Sequence, residues 1–145
     1  MTMLLGFAAL AVDLGRMYVI KSELQAFTDA AALSAAMELD GTDAGIVRAR
    51  GAAAGLAGGP HAMKWDLGTK PITEIAPSFA PGDARPDPQR WSAKPKEAGG
   101  IRFARVSASA PAPLVFMRIF QPANESVVAA SSVAVKSADA ARLIE

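Results

Sequence analysis

Few side chains in this sequence could take part in catalysis or metal binding. Its 145 residues include no Cys and a single His, His61. Thiolate nucleophiles, disulfides and clusters of Cys or His ligands around a metal are therefore excluded. No nucleophile, base and orienting group can be assembled, and Gly58-Gly59 lacks the Lys or Ser of a phosphate-binding loop. The sequence predicts neither an enzyme nor a cofactor or metal site, and no small-molecule substrate.

Asp13 is the polar residue whose position suggests the most specific role. It is the first charged residue after the uncharged stretch from Met1 to Val12. An unpaired charge on a helix in lipid or in a protein core is costly. One hypothesis is that Asp13 pairs with an amine or basic side chain of a neighbouring subunit and fixes the register between helices. The alternatives are a pair with Arg16 three residues later, or a lipid headgroup contact in which Arg16 and Lys21 snorkel.

The aromatic side chains have structural interpretations. Tyr18 and Arg16 are typical of a membrane interface, and packing of Tyr18 against a second helix is the alternative. Trp65 and Trp91 flank a Pro-rich region, which favours anchoring in the core over carbohydrate binding. His61 follows Gly-Gly-Pro at a predicted turn and is expected at the surface.

Two short polar patterns carry little functional information. Asn124-Glu-Ser126 matches the N-glycosylation sequon, a pattern that is frequent by chance. Glu38 and Asp40 could be taken for paired carboxylates. Residues two apart do not face each other on a helix, so we expect no such pair.

The composition excludes some classes of protein and favours others. Hydrophobic residues make up 51%, charged residues 20%, and the formal net charge is +1 without a basic cluster. The sequence therefore lacks the positive surface of a nucleic-acid binder. It is also more hydrophobic than a small solvated domain needs, so we expect part of it to meet lipid or a partner.

The amino-terminal part is predicted to form one long helix. No Pro occurs from Met3 to Leu39, and residues of high helix propensity dominate. At about 1.5 Å per residue this helix would exceed roughly 50 Å, so one end should project. Its uncharged start is shorter than the ~20 residues that span a bilayer. We expect this stretch to be the remaining part of a longer membrane or filament-core helix.

The rest of the chain predicts a mixture of helix and strand. A second, Ala-rich helix from Ala44 to about Ala57 follows a cap at Thr42 or Asp43. Alternating patterns predict strands, and an apolar stretch is expected to form a helical turn in a strand crossover. The strands are predicted at His61 to Leu67, Ile72 to Phe79, Ile101 to Ala110 and Ser126 to Lys136, and the helical turn at Pro113 to Phe120.

These elements predict an α+β fold, in which a long projecting amino-terminal helix packs through its rear half on a small antiparallel sheet. We divide the chain into the helix, residues 1–40, and a head domain, residues 41–145. The head domain would contain a Pro-rich loop over residues 77–95.

Two motifs at the amino end resemble a known family. Leu10-Ala-Val-Asp-Leu-Gly-Arg-Met-Tyr18 and Leu24-Gln-Ala-Phe-Thr-Asp-Ala-Ala-Ala-Leu33 are similar to successive motifs of the TadE/TadG-like proteins of the tight-adherence (Flp) pilus system. Looser similarity extends to Lys64-Trp65-Asp66 and to the later strands. The family's longer apolar start and the metal site of its larger members are not matched. The resemblance therefore implies a short, pilin-like member or a processed form.

The resemblance implies a structural, pilin-like subunit of an extracellular filament that assembles by bundling apolar amino-terminal helices. The implied partners are further copies of the chain or other pilins, with a precursor in the inner membrane through a transmembrane helix. The alternative is a membrane-anchored minor pilin or envelope accessory protein that assists assembly without polymerising. The expected assembly residues lie in the first half of the helix: Met3, Leu4, Leu5, Phe7, Leu10, Asp13, Leu14, Arg16, Met17 and Tyr18.

Overall fold

The protein is a long helix lying across one face of a small antiparallel sheet. A computed structural model describes residues 2–82, 88–116 and 125–137, with side chains from Gly6 onward. The helices are α1 (Thr2–Glu38) and α2 (Asp43–Gly55), and a 3-10 turn lies at Pro88–Arg90. The strands are β1 (Lys64–Trp65), β2 (Lys70–Pro71), β3 (Glu74–Pro81), β4 (Ile101–Pro113) and β5 (Glu125–Val135). The predicted α+β class and the long amino-terminal helix are confirmed.

Helix α1 is amphipathic only along its rear part. Ile20, Leu24, Phe27, Ala31 and Ala35 recur at steps of three and four and are completely buried. This spacing lines one helix face, which packs on β4 and β5. The many Ala residues let the helix approach the sheet closely.

Helix α2 packs against α1 and begins at the predicted cap. The Thr42 hydroxyl accepts a hydrogen bond from the Gly45 amide at 3.0 Å. A Cβ at Gly45 would lie 2.1 Å from an Asp40 carboxylate oxygen, so this glycine permits a close approach. Ile46, Ala49 and Ala53 are the buried side chains of the helix.

The principal sheet has the order β3-β4-β5, with both pairs antiparallel. Inward side chains of β4 alternate with more exposed ones, as the sequence pattern predicts. β4 and β5 are antiparallel neighbours, so the connection between them is not the crossover that we expected. Residues 117–120 of the predicted helical turn lie outside the described residues, as does Asn124.

The extent of the strands in the Pro-rich region differs from the prediction in two places. Pro77 and Pro81 belong to this strand, so the start of the loop expected over 77–95 is extended structure. An edge strand tolerates Pro because its outward backbone groups need no ladder partner. The strand expected from His61 to Leu67 is reduced to β1, which pairs with β2 in a separate hairpin.

Candidate assembly surface

The first part of α1 carries exposed apolar side chains. Phe7 is 70% exposed and Leu14 53%, although a soluble helix usually buries such residues. We define the apolar tip by its described exposed members: Phe7, Leu10, Val12 and Leu14. The predicted assembly residues did not include Val12, although Val12 lies in the same uncharged stretch. An exposed patch of this kind normally marks an interaction site.

Asp13 marks the point where α1 joins the head. Its side chain is only 2% exposed. One carboxylate oxygen accepts a hydrogen bond from the Val115 amide at 3.1 Å, and the other accepts one from the Phe116 amide at 2.9 Å. These amides lie two and three residues after the end of β4, so a single side chain connects the helix to that end of the sheet. Neither the registration hypothesis nor its alternatives foresaw these contacts, since the donors are backbone groups.

Arg16 connects α1 to the β1–β2 hairpin. Its guanidinium donates three hydrogen bonds to the Asp66 carboxylate, at 2.8 to 3.1 Å, and Asp66 is buried. The hydrogen bonds from Arg16 hold the pKa of Asp66 below its ordinary value, against the opposing effect of burial. Lys70 adds a second cation at 3.4 Å. Asp66 is thus a residue that the sequence interpretation did not connect with Arg16.

The turn that carries Asp66 has an unusual backbone. Asp66 and Leu67 have φ angles of +57° and +58°, in the left-handed region that non-glycine residues rarely adopt. The Leu67 amide donates to the Glu23 carboxylate at 3.2 Å, and the Thr69 hydroxyl donates to the Asp66 carbonyl at 2.6 Å. Contacts from Arg16 and Glu23 therefore hold the strained turn against α1.

The predicted assembly residues divide into two groups. Phe7, Leu10, Leu14 and Tyr18 are exposed, while Met17 packs against the core. Tyr18, at 76% exposure, does not pack against a second helix. Asp13 and Arg16 bind parts of the same chain. The side chains of Met3, Leu4 and Leu5 lie outside the described part of α1.

The two Trp side chains and His61 differ in their exposure to solvent. Trp65 is buried and its indole donates to the Pro71 carbonyl at 2.9 Å, as expected of a core anchor. Trp91 is partly buried and stacks with the Arg105 guanidinium at 4.5 Å. His61 is exposed, as predicted.

Glu38 and Asp40 are joined through a third residue. The Arg48 side chain of α2 forms ion pairs with both carboxylates. Hydrogen bonds from Thr42, followed by that from Arg48, lower the pKa of Asp40 to about 2. The two acids therefore fasten α2 to the end of α1, a structural role.

The described part of the chain holds neither a metal-binding cluster nor a membrane span. No group of three His, Asp or Glu side chains lies close enough there to hold a metal ion. None of the helices described combines the length and apolarity that a membrane span requires, so the expected transmembrane helix is not confirmed.

A long helix with an exposed apolar start, packed through its rear part on a small antiparallel sheet, is the architecture that this geometry defines. The family model for Flp pilus-assembly TadE/G-like proteins matches residues 1–38. This match covers α1 with the apolar tip, and it confirms the resemblance to the TadE/TadG-like family that the two motifs predicted. Comparison with curated proteins and with solved structures finds no match to the chain. The similarity expected after residue 38 stays a prediction.

The family match points to a role in assembly of the Tad pilus. It therefore implies a location at the cell surface or in the envelope and interaction with other pilus components. The family is one of pilus-assembly proteins and not of enzymes.

Proposed function

We propose that this chain is a structural, pilin-like subunit that polymerises into an extracellular filament through the apolar tip of α1. The observation that carries this proposal is the exposure of Phe7, Leu10, Val12 and Leu14 on a helix that extends beyond the sheet. Bundling of such helices would remove their apolar side chains from water, which is favourable at roughly 25 cal/mol per Å².

The junction at Asp13 supports the same proposal. Its hydrogen bonds to the Val115 and Phe116 amides fix where the helix leaves the head. The exposed side chains of Val115 and Phe116 lie at this junction and extend the apolar surface of the tip onto the head. A neighbouring subunit could then contact both the helix and the head.

The contacts of Asp13 and Arg16 bear on register between subunits. Each side chain already binds a group within its own chain. A register contact with a neighbour would compete with these bonds. Tyr18 is exposed and lies at the head side of the tip, where an amphipathic ring can contact a neighbouring helix without breaking such a bond.

The second candidate function is an accessory one, in which the apolar tip anchors the chain in the inner membrane or docks on another pilin. The same exposed side chains support this function. The two functions differ in whether the chain alone forms a regular polymer.

Controlled removal of detergent from the purified full chain tests the proposal. We expect filaments with a regular helical repeat in electron micrographs. The double variant Leu10→Ser/Leu14→Ser should stay dispersed and keep its thermal unfolding midpoint, since both residues are exposed. Val47→Ser is the matched control, because Val47 is a comparably exposed apolar residue on α2. Its filaments should be normal.

Two results would contradict the proposal. Normal filaments from Leu10→Ser/Leu14→Ser would show that the apolar tip is not the contact. A wild-type chain that stays monomeric or forms only irregular aggregates would favour the accessory function.

A further inference from the structure

We propose that the chain also forms a twofold dimer, in which the outer edge of β5 and the adjacent face of α1 pair with the same surfaces of a second copy. This inference goes beyond the proposed function and does not rest on it. It uses the head and the rear part of α1, not the apolar tip.

Among the described residues, no strand pairs with the outer edge of β5. The Lys136 amide donates to the Arg102 carbonyl at 2.9 Å, so even-numbered residues of β5 direct their backbone groups toward β4. The odd-numbered residues from Val127 to Val135 direct theirs outward, and all five are exposed. The Lys21 ammonium contacts one of these groups, the Ala129 carbonyl. The strand has neither Pro nor charge between Ser126 and Val135, so little discourages strand addition.

The opposite edge of the sheet is protected. β3 carries Pro77 within the strand, which removes a backbone donor. Phe79 and Ser92 exchange two backbone hydrogen bonds, at 2.8 and 2.9 Å, which cover the edge further along. The sheet therefore offers β5 as its accessible edge over the described residues.

The sequence of β5 is nearly symmetric about Ser131. In an antiparallel pair centred there, Ser131 lies opposite its own copy, Val127 opposite Val135, and Ala129 opposite Val133. This register pairs every outward residue with another outward residue, which gives about ten backbone hydrogen bonds. It also sets β-branched side chains opposite each other at both ends of the strand, a favourable cross-strand pairing.

The face of α1 beside this edge is complementary to itself under the same symmetry. Tyr18, Lys21, Ser22, Gln25 and Asp29 line a shallow groove there. The Gln25 amide donates to the Ser132 hydroxyl at 2.9 Å, so Gln25 lies at the level of the centre of β5.

A twofold axis at this level sets Lys21 of each copy opposite Asp29 of the other. The Oδ1 atom of Asp29 accepts hydrogen bonds from Gln25 and Ser132 of its own chain, so the ammonium would bind at the second carboxylate oxygen and need not break them. It also brings exposed Tyr18 beside the exposed Leu33 of the second copy. A parallel arrangement would instead set Lys21 beside Lys21, so charge favours the antiparallel one.

Lys21 changes its partner when the dimer forms. In the single chain its ammonium contacts the Ala129 carbonyl. In the dimer this carbonyl accepts a hydrogen bond from the Val133 amide of the second copy, and Lys21 moves to Asp29 of that copy. Lys21 thus covers the edge of the monomer and binds across the interface of the dimer.

The dimer and a filament with parallel helices exclude each other. Contacts of Lys21 with Ala129, Gln25 with Ser132 and Lys136 with Met37 show that α1 runs in the same direction as β5. Antiparallel β5 strands therefore place the two apolar tips at opposite ends of the dimer. A copy must leave the dimer before its tip can join a parallel bundle.

Light scattering over a concentration series tests the dimer with the full chain in mild detergent. All proteins carry Leu10→Ser/Leu14→Ser, so that failure of tip contacts cannot be mistaken for failure of this interface. We expect a dimer in this background. Lys21→Asp or Asp29→Lys should each raise the dissociation constant of this dimer about tenfold. The combination of the two should restore dimerisation to within about threefold of the background protein. A monomeric background protein, or a combined variant no better than the single ones, would overturn the proposal.

A cysteine at the symmetry axis gives a second test that needs no charge change. The chain contains no Cys, so a single introduced one can form only an intermolecular disulfide. Ser131→Cys should give a covalent dimer on mild oxidation. Ser107→Cys, on the same sheet face but in the central strand, is the control and should run as a monomer on a non-reducing gel. Equal cross-linking of the two variants would overturn the proposed register.

Discussion

Asp13 connects the apolar tip to the head through two backbone amides, and this has a consequence for stability. Asp13→Ala leaves the Val115 and Phe116 amides without their acceptor, so we expect the free energy of unfolding to fall by about 1–3 kcal/mol. Asp13→Asn retains one carbonyl acceptor and should lose less. Urea unfolding of the full chain in detergent measures both.

The control for Asp13 is Glu97→Ala, which also removes one negative charge but at an exposed loop position. Its stability should match that of the wild type. If Asp13 acted only on a neighbouring subunit, Asp13→Ala would unfold like the wild-type monomer, and that result would refute its role in joining the helix to the head.

The Arg16–Asp66 pair predicts a dependence of stability on pH. The pKa of Asp66 is lowered from 3.8, chiefly by hydrogen bonds from Arg16. A carboxyl group with a lowered pKa in the folded state stabilises the fold above its unfolded pKa, and this contribution is lost as the pH falls through the folded pKa. Asp66→Asn should therefore cost about 1 kcal/mol at pH 7, a modest figure because Arg16 is one third exposed and screened by solvent.

The difference in free energy of unfolding between wild type and Asp66→Asn should become smaller as the pH falls below 3.8. Urea unfolding at pH 7, 4 and 3 checks this. Arg16→Lys is the companion variant, because it keeps the charge but loses the two-pronged geometry. If the difference in free energy of unfolding between wild type and Asp66→Asn stays constant from pH 7 to pH 3, the Arg16–Asp66 pair is not the source of the pH dependence.

At the scale of elements, α1 has two parts with different roles, and the boundary between them is at Asp13. Deletion of residues 1–11 removes exposed side chains and should leave the head folded, soluble and unable to form filaments. Deletion of residues 1–20 also removes Arg16 and the completely buried Ile20. It should destabilise the head by more than about 2 kcal/mol relative to the shorter deletion, since loss of a buried Ile alone has that effect.

Circular dichroism during thermal unfolding compares the two truncated proteins. Equal midpoints would mean that the part of α1 between Asp13 and Ile20 does not contribute to the head. Such a result would place the boundary further along the helix than the structure indicates.

The elements that the sequence predicted well are those with a strong local signal. The absence of Pro from Met3 to Leu39 and the dominance of residues with high helix propensity predict α1, and alternation predicts β4 and β5. The β1–β2 hairpin was not predicted. Asp66 and Leu67 both adopt a left-handed backbone conformation, and the residue types Asp and Leu do not indicate it. The ion pair between Arg16 and Asp66 joins residues 50 positions apart. A local sequence pattern cannot predict such a pair.

The candidate site was predictable in part for the same reason. The uncharged start of the chain is visible in the sequence and identifies the apolar tip. The partners of Asp13 are backbone amides, which every residue but Pro possesses, so side-chain types could not reveal them. The open edge of β5 became visible only once the order of the strands was known.

At the scale of the whole molecule, the structure separates two surfaces that we propose join copies of the chain in different ways. The apolar tip suits a parallel bundle, whereas the edge of β5 with the adjacent face of α1 suits an antiparallel dimer. A variant that weakens the dimer, such as Lys21→Asp, should therefore raise the rate of filament formation when detergent is removed. Turbidity against time measures that rate. Unchanged kinetics would show that the dimer does not limit assembly.

The composition of pili sheared from cells that produce this chain tests most directly whether it is a polymerising subunit. Quantitative mass spectrometry of the sheared filaments should find the chain as a principal component. Leu10→Ser/Leu14→Ser should remove it from the filaments while its amount in the cell stays the same. A trace amount of the wild-type chain in the filaments, with pili otherwise normal, would contradict the proposed polymerisation and support the accessory function.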